Sequence, residues 1–401
     1  MIKFTMLCVL CTISLVSCGE EKSPWETHID NGQRYLEQGN FSKAEEELNS
    51  ALKEAEQFGE QDPRLPETLT KLAVVYDTQG QYDQAQPLLE RAITLNETML
   101  GAEHPDLAGD LSNLGALHHV QHQFDKAKPL FERALSIREK ALGLDHQDVV
   151  MDLKNLAAFH VSQAQYEEAE PYLSRALVIT EKAVGKTDPA LIEPLNNLGK
   201  LLIAQKQYEK AVPYLQRALA LNELKWGKDN PRIIGSLNNL TFLFQSQEQF
   251  DEAEALLLRV IALDEKALGP TNPRLGLSLN KLATLYRAQN RFDKAIPLLE
   301  QTLSITEQAE GPEDASLVNP LNNLAILRQA NKEFQEAEAL YTRALSISET
   351  ALGKDHETVG RTLNNYAALL RTINRQPEAE ALEARAKTIR EKNAKDSAKK
   401  S

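Results

Sequence analysis

G-K-T-D-P-A-L-I-E-P-L-N-N-L-G-K-L-L-I-A-Q-K-Q-Y-E-K-A-V-P-Y-L-Q-R-A-L-A-L-N-E-L-K-W, residues 185–226, is the stretch whose reading decides the fold. Leu195, Leu198, Gly199 and Leu202 fall at i, i+3, i+4 and i+7, one apolar face of a helix. Asn196, Lys200 and Ile203 share a different face. After a polar turn, Tyr208, Ala211, Leu215, Ala218 and Leu219 repeat the helical spacing. The unit reads as two antiparallel helices, with Gly199, Ala211 and Ala218 small enough for close approach. Such a hairpin cannot bury its apolar face alone and needs a copy on either side.

The copies are present. An aromatic recurs at Phe41, Tyr82, Phe124, Tyr166, Tyr208, Phe250, Phe292 and Phe334, first at an interval of 41 residues and then always 42. An alanine follows each by three residues, from Ala44 to Ala337, and a ninth copy keeps Ala379 but has Gln376 in place of the aromatic. Seven residues further on, a second alanine column is broken by Val260 and Thr302, where altered helix spacing is expected. Glycines at 101, 143, 185, 227, 269, 311 and 353 mark helix ends. Asp188-Pro189, Asn230-Pro231 and Asn272-Pro273 mark helix starts. The expectation is an all-α, right-handed superhelical solenoid of about nine helix-turn-helix repeats over 24–390. One quasi-linear array replaces the two or three domains that 401 residues would otherwise suggest.

L-N-N-L-G at 195–199, L-N-N-L-A at 321–325, the Gln207–Ala211 turn and the G-K-D-N-P connector at 227–231 resemble the tetratricopeptide repeat (TPR), in the 42-residue form of kinesin light chains and their bacterial relatives. The resemblance implies that first helices line a concave face that carries peptide partners. It does not imply motor binding, since the N-terminal coiled coil of those proteins is lacking here. Nor does it imply their uniformly basic groove for acidic cargo, because Glu67 and Asp77 make one end acidic.

Residues 1–17 read as a signal peptide: Lys3, then an apolar run from Phe4 to Val16, too short to cross a bilayer, which takes about 20 residues. Leu15-Val16-Ser17-Cys18 resembles the bacterial lipobox, which implies cleavage before Cys18 and lipidation of that residue, palmitate included. Cys8 and Cys11 would leave with the signal, so no thiol or disulfide remains. Gly19 after the cysteine points by analogy to the outer membrane, periplasmic face. Residues 18–23 are then a short tether, and 391–401 a basic tail capping the array.

The formal net charge of −13 argues against a nucleic-acid surface. No nucleophile elbow, phosphate loop, H-E-x-x-H or catalytic cysteine occurs, so no enzyme, cofactor or small-molecule substrate is expected. His118, His122 and His160 could approach one another as metal ligands. The first and last, however, occupy a column held elsewhere by Tyr76, Phe244 and Tyr286, and so read as core residues; no metal is expected.

The strongest candidate is the inner face. Thr70, Ser112, Lys154, Asn196, Asn238, Asn280, Asn322 and Asn364 form one column, and its five asparagines could serve a peptide backbone as both donors and acceptors. Lys200, Phe242, Arg287 and Arg371 would select side chains. The adjacent column, Asn113, Asn155, Asn197, Asn239, Asn323 and Asn365, reads as packing between helices. The sequence thus points to a non-enzymatic, lipid-anchored envelope scaffold for a protein or extended peptide. Alternatives are an assembly component using convex or edge surfaces, or a metal-binding accessory.

Overall fold

The structure, a computed structural model, describes residues 22–398; the signal, Cys18 and the last three residues lie outside them. The chain divides between Lys206 and Gln207 into two compact units. The first holds the hairpins α1/α2 (Pro24–Glu37, Phe41–Phe58), α3/α4 (Arg64–Thr78, Tyr82–Leu100), α5/α6 (Leu107–Val120, Phe124–Leu142) and α7/α8 (Val149–Ser162, Tyr166–Val184), then α9 (Ile192–Ala204). The second begins with α10 (Tyr208–Trp226). It continues through α11/α12 (Ile234–Ser246, Phe250–Leu268), α13/α14 (Pro273–Ala288, Phe292–Glu310), α15/α16 (Val318–Ala330, Phe334–Leu352) and α17/α18 (Glu357–Thr372, Gln376–Ala398). No strand occurs among the described residues.

The punctuation works as its chemistry requires. The glycines closing the second helices from Gly101 to Gly353 have φ of 87–96°. Their ψ is 151–163°, a region open essentially to glycine alone. The turn inside each hairpin is different. His122, Ala164, Lys206, Glu248, Asn290, Lys332 and Asn374 sit at φ 57–66°, where Gly39 and Gly80 stand in the first two repeats. The next N–H closes back on the carbonyl five residues earlier, as from Gln123 to His118 at 2.8 Å and from Gln249 to Phe244 at 2.8 Å.

Helices approach through small residues. All nine alanines of the first column, Ala44 to Ala379, are fully buried. A methyl group at Gly115 would come within 2.9 Å of the Phe131 ring, and one at Gly32 within 2.7 Å of Leu48. Thr302, one of the two breaks in the second column, is accommodated from the other side: Gly276 faces its Cγ2, where a Cβ would stand at 3.0 Å. The extra methyl is met by a lost one rather than by helix separation alone.

Arginines one residue before the second alanine column clamp the connectors. Arg133 pairs with Glu97 at 2.6 Å and donates to the Ala102 carbonyl at 2.8 Å. Arg175, Arg259, Arg343 and Arg385 repeat this with Glu139, Glu223, Glu307 and Glu349, and with the carbonyls of Leu144, Lys228, Pro312 and Lys354. Position 301 holds glutamine, and its would-be partner Glu265 is exposed. At the C-terminal end the expected tail is helical: α18 runs to Ala398. Lys392 pairs with Asp355, and Asn393 Nδ2 donates to the Asp355 carbonyl at 3.2 Å. Lysine, glutamate and alanine continue a helix without apolar periodicity.

Candidate functional site

The interior of these repeats contains polar nodes built from three positions. A residue of a first helix meets one 14 positions earlier, on the preceding second helix, and one 40 earlier, on the preceding first helix. Asp110 accepts from Asn96 Nδ2 at 2.8 Å and from Thr70 Oγ1 at 2.7 Å. Asp152 pairs with Arg138 Nη1 at 2.7 Å and accepts from Ser112 Oγ at 3.0 Å. In the second unit Asn222 Nδ2 donates to Ser236 Oγ at 2.7 Å, Ser278 Oγ donates to Asp264, and Asn322 Nδ2 donates to Thr362 Oγ1 at 2.9 Å. Burial raises Asp110 above the ordinary carboxylate range, against its bonds to Thr70 and Asn96. Burial pushes Asp152 up to about 6, against the charge of Arg138.

These nodes take up much of the expected amide column. Thr70, Ser112 and Asn322 are their members, and the Asn322 side chain is buried rather than open to a groove. Asn196 Nδ2 donates to the Ile192 carbonyl at 2.9 Å. Asn238 Oδ1 accepts from Lys281 at 2.9 Å, and Asn280 Oδ1 from Asn323 at 3.0 Å. Asn364 is exposed. Arg371 is held bidentate by Glu383 of its own hairpin, at 2.8 and 2.7 Å, so its guanidinium serves α17/α18 packing. Phe242 (58% exposed), Arg287 and Lys200 remain open to solvent.

In the first unit the adjacent column, expected to serve packing, lines a groove together with Ser112 and Lys154 of the expected column. Successive first helices α5, α7 and α9 wall a cavity of about 630 Å³ that includes Asn113, Asn155, Asn197 and Lys200. Its apolar lining is small: Gly109, Ala116, Ala157, Ala158 and Ala204, with Met151, Val161 and Leu201. Arg138 and Asp152 lie in it, beside Lys154 and Glu193, which pair at 2.7 Å. Asn113 is 6% exposed and makes no side-chain hydrogen bond among the described residues; Asn155 makes none either.

In the second unit, first helices α11, α13, α15 and α17 carry Arg274, Lys281, Arg287, Arg328, Arg361 and Arg371 against a single acid, Glu357. Arg328 pairs with Glu300 and Glu333 and Arg371 with Glu383, which leaves Arg274, Lys281, Arg287 and Arg361 without an ion pair among the described residues.

The histidines fill core slots. His118 and His160 are buried, and each Nδ1 bonds the glutamine after its own turn, Gln123 at 2.9 Å and Gln165 at 2.8 Å. His160 also stacks on Tyr172. His122 sits at the exposed turn, edge-on to Phe124. No group of three metal-type ligands occurs among the described residues.

A tetratricopeptide repeat family model matches residues 27–98, 149–223, 232–308 and 316–392, and a second one matches 111–148. The chain belongs to the tetratricopeptide repeat family. Among solved structures, TPR-like repeats assigned to a kinesin light chain of Podosopora anserina are similar at 25% identity, over 51% of this TPR chain and 97% of that one, with a TM-score of 0.45. The apo form of RapI is similar at 13% identity over 93% and 99%, with a TM-score of 0.59. A STAND signal-transduction ATPase with a TPR sensor, from Pyrococcus horikoshii, is similar at 13% over 94% and 55%, with a TM-score of 0.55. No curated protein matches the chain. The TPR fold is that of a protein–protein interaction scaffold, and neither family model indicates a catalytic family.

Proposed function

We propose that the protein is a lipid-anchored scaffold of the bacterial cell envelope that captures a protein or an extended peptide on the face of its first helices. The observation that carries this reading is the groove of the first unit, where Asn113 and Asn155 hold amides without internal partners. Both amides line the cavity, and a peptide backbone, donor and acceptor at once, matches them. In the second unit, the unpaired cations Lys281, Arg287 and Arg361 of its first helices attract an acidic stretch. Anchoring rests on Leu15-Val16-Ser17-Cys18. No helix among the described residues is long and apolar enough to cross a membrane.

The test is affinity capture from native envelope with the full chain and two variants. Lys281→Glu with Arg287→Glu and Phe242→Ala should lose the partners. Val178→Glu with Leu224→Glu, on exposed second-helix positions, should keep them. Equal yields from the first variant would exclude the first helices of the second unit. A second reading, assembly through an edge, is favoured by Phe58, Leu100, Leu142 and Val184, half-exposed at the ends of successive second helices; capture lost only on polar substitution there would support it. For the anchor, Cys18→Ala should leave the chain unprocessed or soluble, because acyl chains supply the membrane affinity. A processed, membrane-bound Cys18→Ala chain would refute the anchor.

A further inference from the structure

Eight large apolar residues stand exposed among the described residues of the first unit, and five of them lie at one edge. Phe58, Leu100, Leu142 and Val184, the last residues of α2, α4, α6 and α8, are 40–44% exposed. They recur at 42-residue intervals, at the same point of each hairpin. Leu144, in the connector after α6, is 62% exposed. The opposite edge, where the hairpins turn, is built on glutamine pairs such as Gln121 and Gln123, with Val120 its one exposed large apolar residue among those described.

The chain enters at the apolar edge. α1 is a first helix, so its N-terminus stands where the connectors feed the other first helices. Trp25, its second residue, and Phe58 both flank the Arg64 guanidinium, with ring centroids at 6.0 and 3.3 Å. The Trp25 indole N–H donates to Thr68 Oγ1 at 2.9 Å and fixes that end of α1. Residues 18–23 span about 20 Å at most, so a lipid on Cys18 keeps this edge near the bilayer. The 19 residues of α6 put the opposite edge about 28 Å away from it.

Charge does not draw the edge to an anionic surface. Residues 59–64, 101–106, 143–148 and 185–190 hold seven acids against Arg64 and Lys186, while Lys140 and Lys182 reach over to Glu103 and Asp145. What the edge offers a membrane is apolar, and the lipid it fits is zwitterionic. We infer that the connector edge of the first unit rests on the zwitterionic lipid surface to which the chain is tethered, with Phe58, Leu100, Leu142, Leu144 and Val184 entering the headgroup region. This rests on the reading of Cys18 as a lipid anchor, and it gives the edge row a bilayer rather than a protein as its occupant. Half-exposed side chains are a weak anchor alone; the short tether supplies the effective concentration at which they engage. In this pose the helices of the unit stand along the membrane normal. Their first-helix face stays open sideways, and a captured partner is held beside the lipid.

In the test the anchor is supplied artificially, so that the result does not depend on processing at Cys18. The chain from Gly19 to Ser401, with a hexahistidine in place of the cysteine, is tethered to phosphatidylcholine vesicles carrying a nickel-chelating lipid. It has no native thiol, so a nitrobenzoxadiazole label goes either to Leu144→Cys or to Asp125→Cys, exposed at the opposite edge. On tethering, the label at 144 should shift to the blue and gain at least twofold in emission, and the label at 125 should not change. Phe58→Ser with Leu100→Ser and Leu142→Ser, all at exposed positions, should keep the circular dichroism spectrum and abolish the gain. Replacing part of the phosphatidylcholine by phosphatidylglycerol should weaken it, because the acids of the edge are repelled. Equal responses at 144 and 125, a gain that grows with phosphatidylglycerol, or a gain kept by the folded triple variant would each overturn the inference. A label at 144 that stays silent on vesicles would overturn it too and leave the edge to a protein partner. The anchor reading falls separately, on a processed, membrane-bound Cys18→Ala chain.

Discussion

Gln301→Arg should restore the connector clamp at the position where it is missing. Five clamps set the geometry: an arginine meets a glutamate 36 residues earlier and a carbonyl 31 residues earlier. For position 301 these are Glu265 and the carbonyl of Pro270, and the proline at 312 already serves as acceptor for Arg343. The arginines and glutamates of existing clamps are about one-third exposed, so the ion pair is worth only about 0.2–1 kcal/mol. The bond to the carbonyl adds a similar amount once water competes for the guanidinium. A gain of about 1 kcal/mol is expected, which slows local opening about fivefold. Hydrogen–deuterium exchange by mass spectrometry should show that slowing across the end of α12 and residues 269–272. Arg259→Gln should speed exchange at 227–230 by a similar factor, and 1 M salt should shrink both effects. Unchanged exchange in both variants would mean that the arginines decorate the connectors without holding them.

Arg138→Met should cost about 3–5 kcal/mol at pH 7, since it leaves the Asp152 carboxylate buried without a counter-charge. Because the folded pKa of Asp152 is raised to about 6, its contribution to stability is full below the unfolded value and is lost as pH rises through about 6. The variant's deficit in denaturant midpoint should therefore be smaller at pH 5 than at pH 7, and an equal deficit at both would refute the assignment. Ala164→Gly should stabilise the α7/α8 hairpin by about 0.5–1 kcal/mol, relieving a left-handed alanine at φ 58°. A lowered denaturant midpoint would show that the turn gains more from the stiffness of alanine than it loses to strain.

The period, the glycine stops and the alanine columns were legible because each depends on spacing within one repeat, and spacing is what a sequence displays. The core role of His118 and His160 was legible for the same reason, through the aromatics that share their column. The amide face was not. Asn196 and Asn197 are neighbours about 100° apart on a helix, and the choice between them depends on how adjacent helices cross. That choice is settled by partners 14 and 40 residues away, such as Asn96 and Thr70 on Asp110, which no local window contains. One signal was available: Asp110 and Asp152 interrupt first helices that are otherwise nearly free of acid at that position, and a buried carboxylate requires partners. The extension of α18 through 391–398 carries no apolar period for a sequence to display, because lysine, glutamate and alanine form helix without one.

A chain of near copies has its own way to go wrong, which is to dock one repeat out of place. The leucines and alanines would hardly object, since every repeat offers them the same hole. The polar nodes would, because each is composed differently. Arg138 shifted forward by one repeat would meet Pro194 instead of Asp152 and lose its counter-charge, and Asp152 in turn would meet the threonine at 180. Asp264, which accepts from Ser278, would face Pro320, which has no donor to offer. The mispaired intermediate would carry buried charges that the native order leaves satisfied, and it would be the less stable for that. Groups that add little to the net stability of the finished array thus act during folding as a proofreading device, rejecting frameshifted assemblies that the hydrophobic pattern alone would accept.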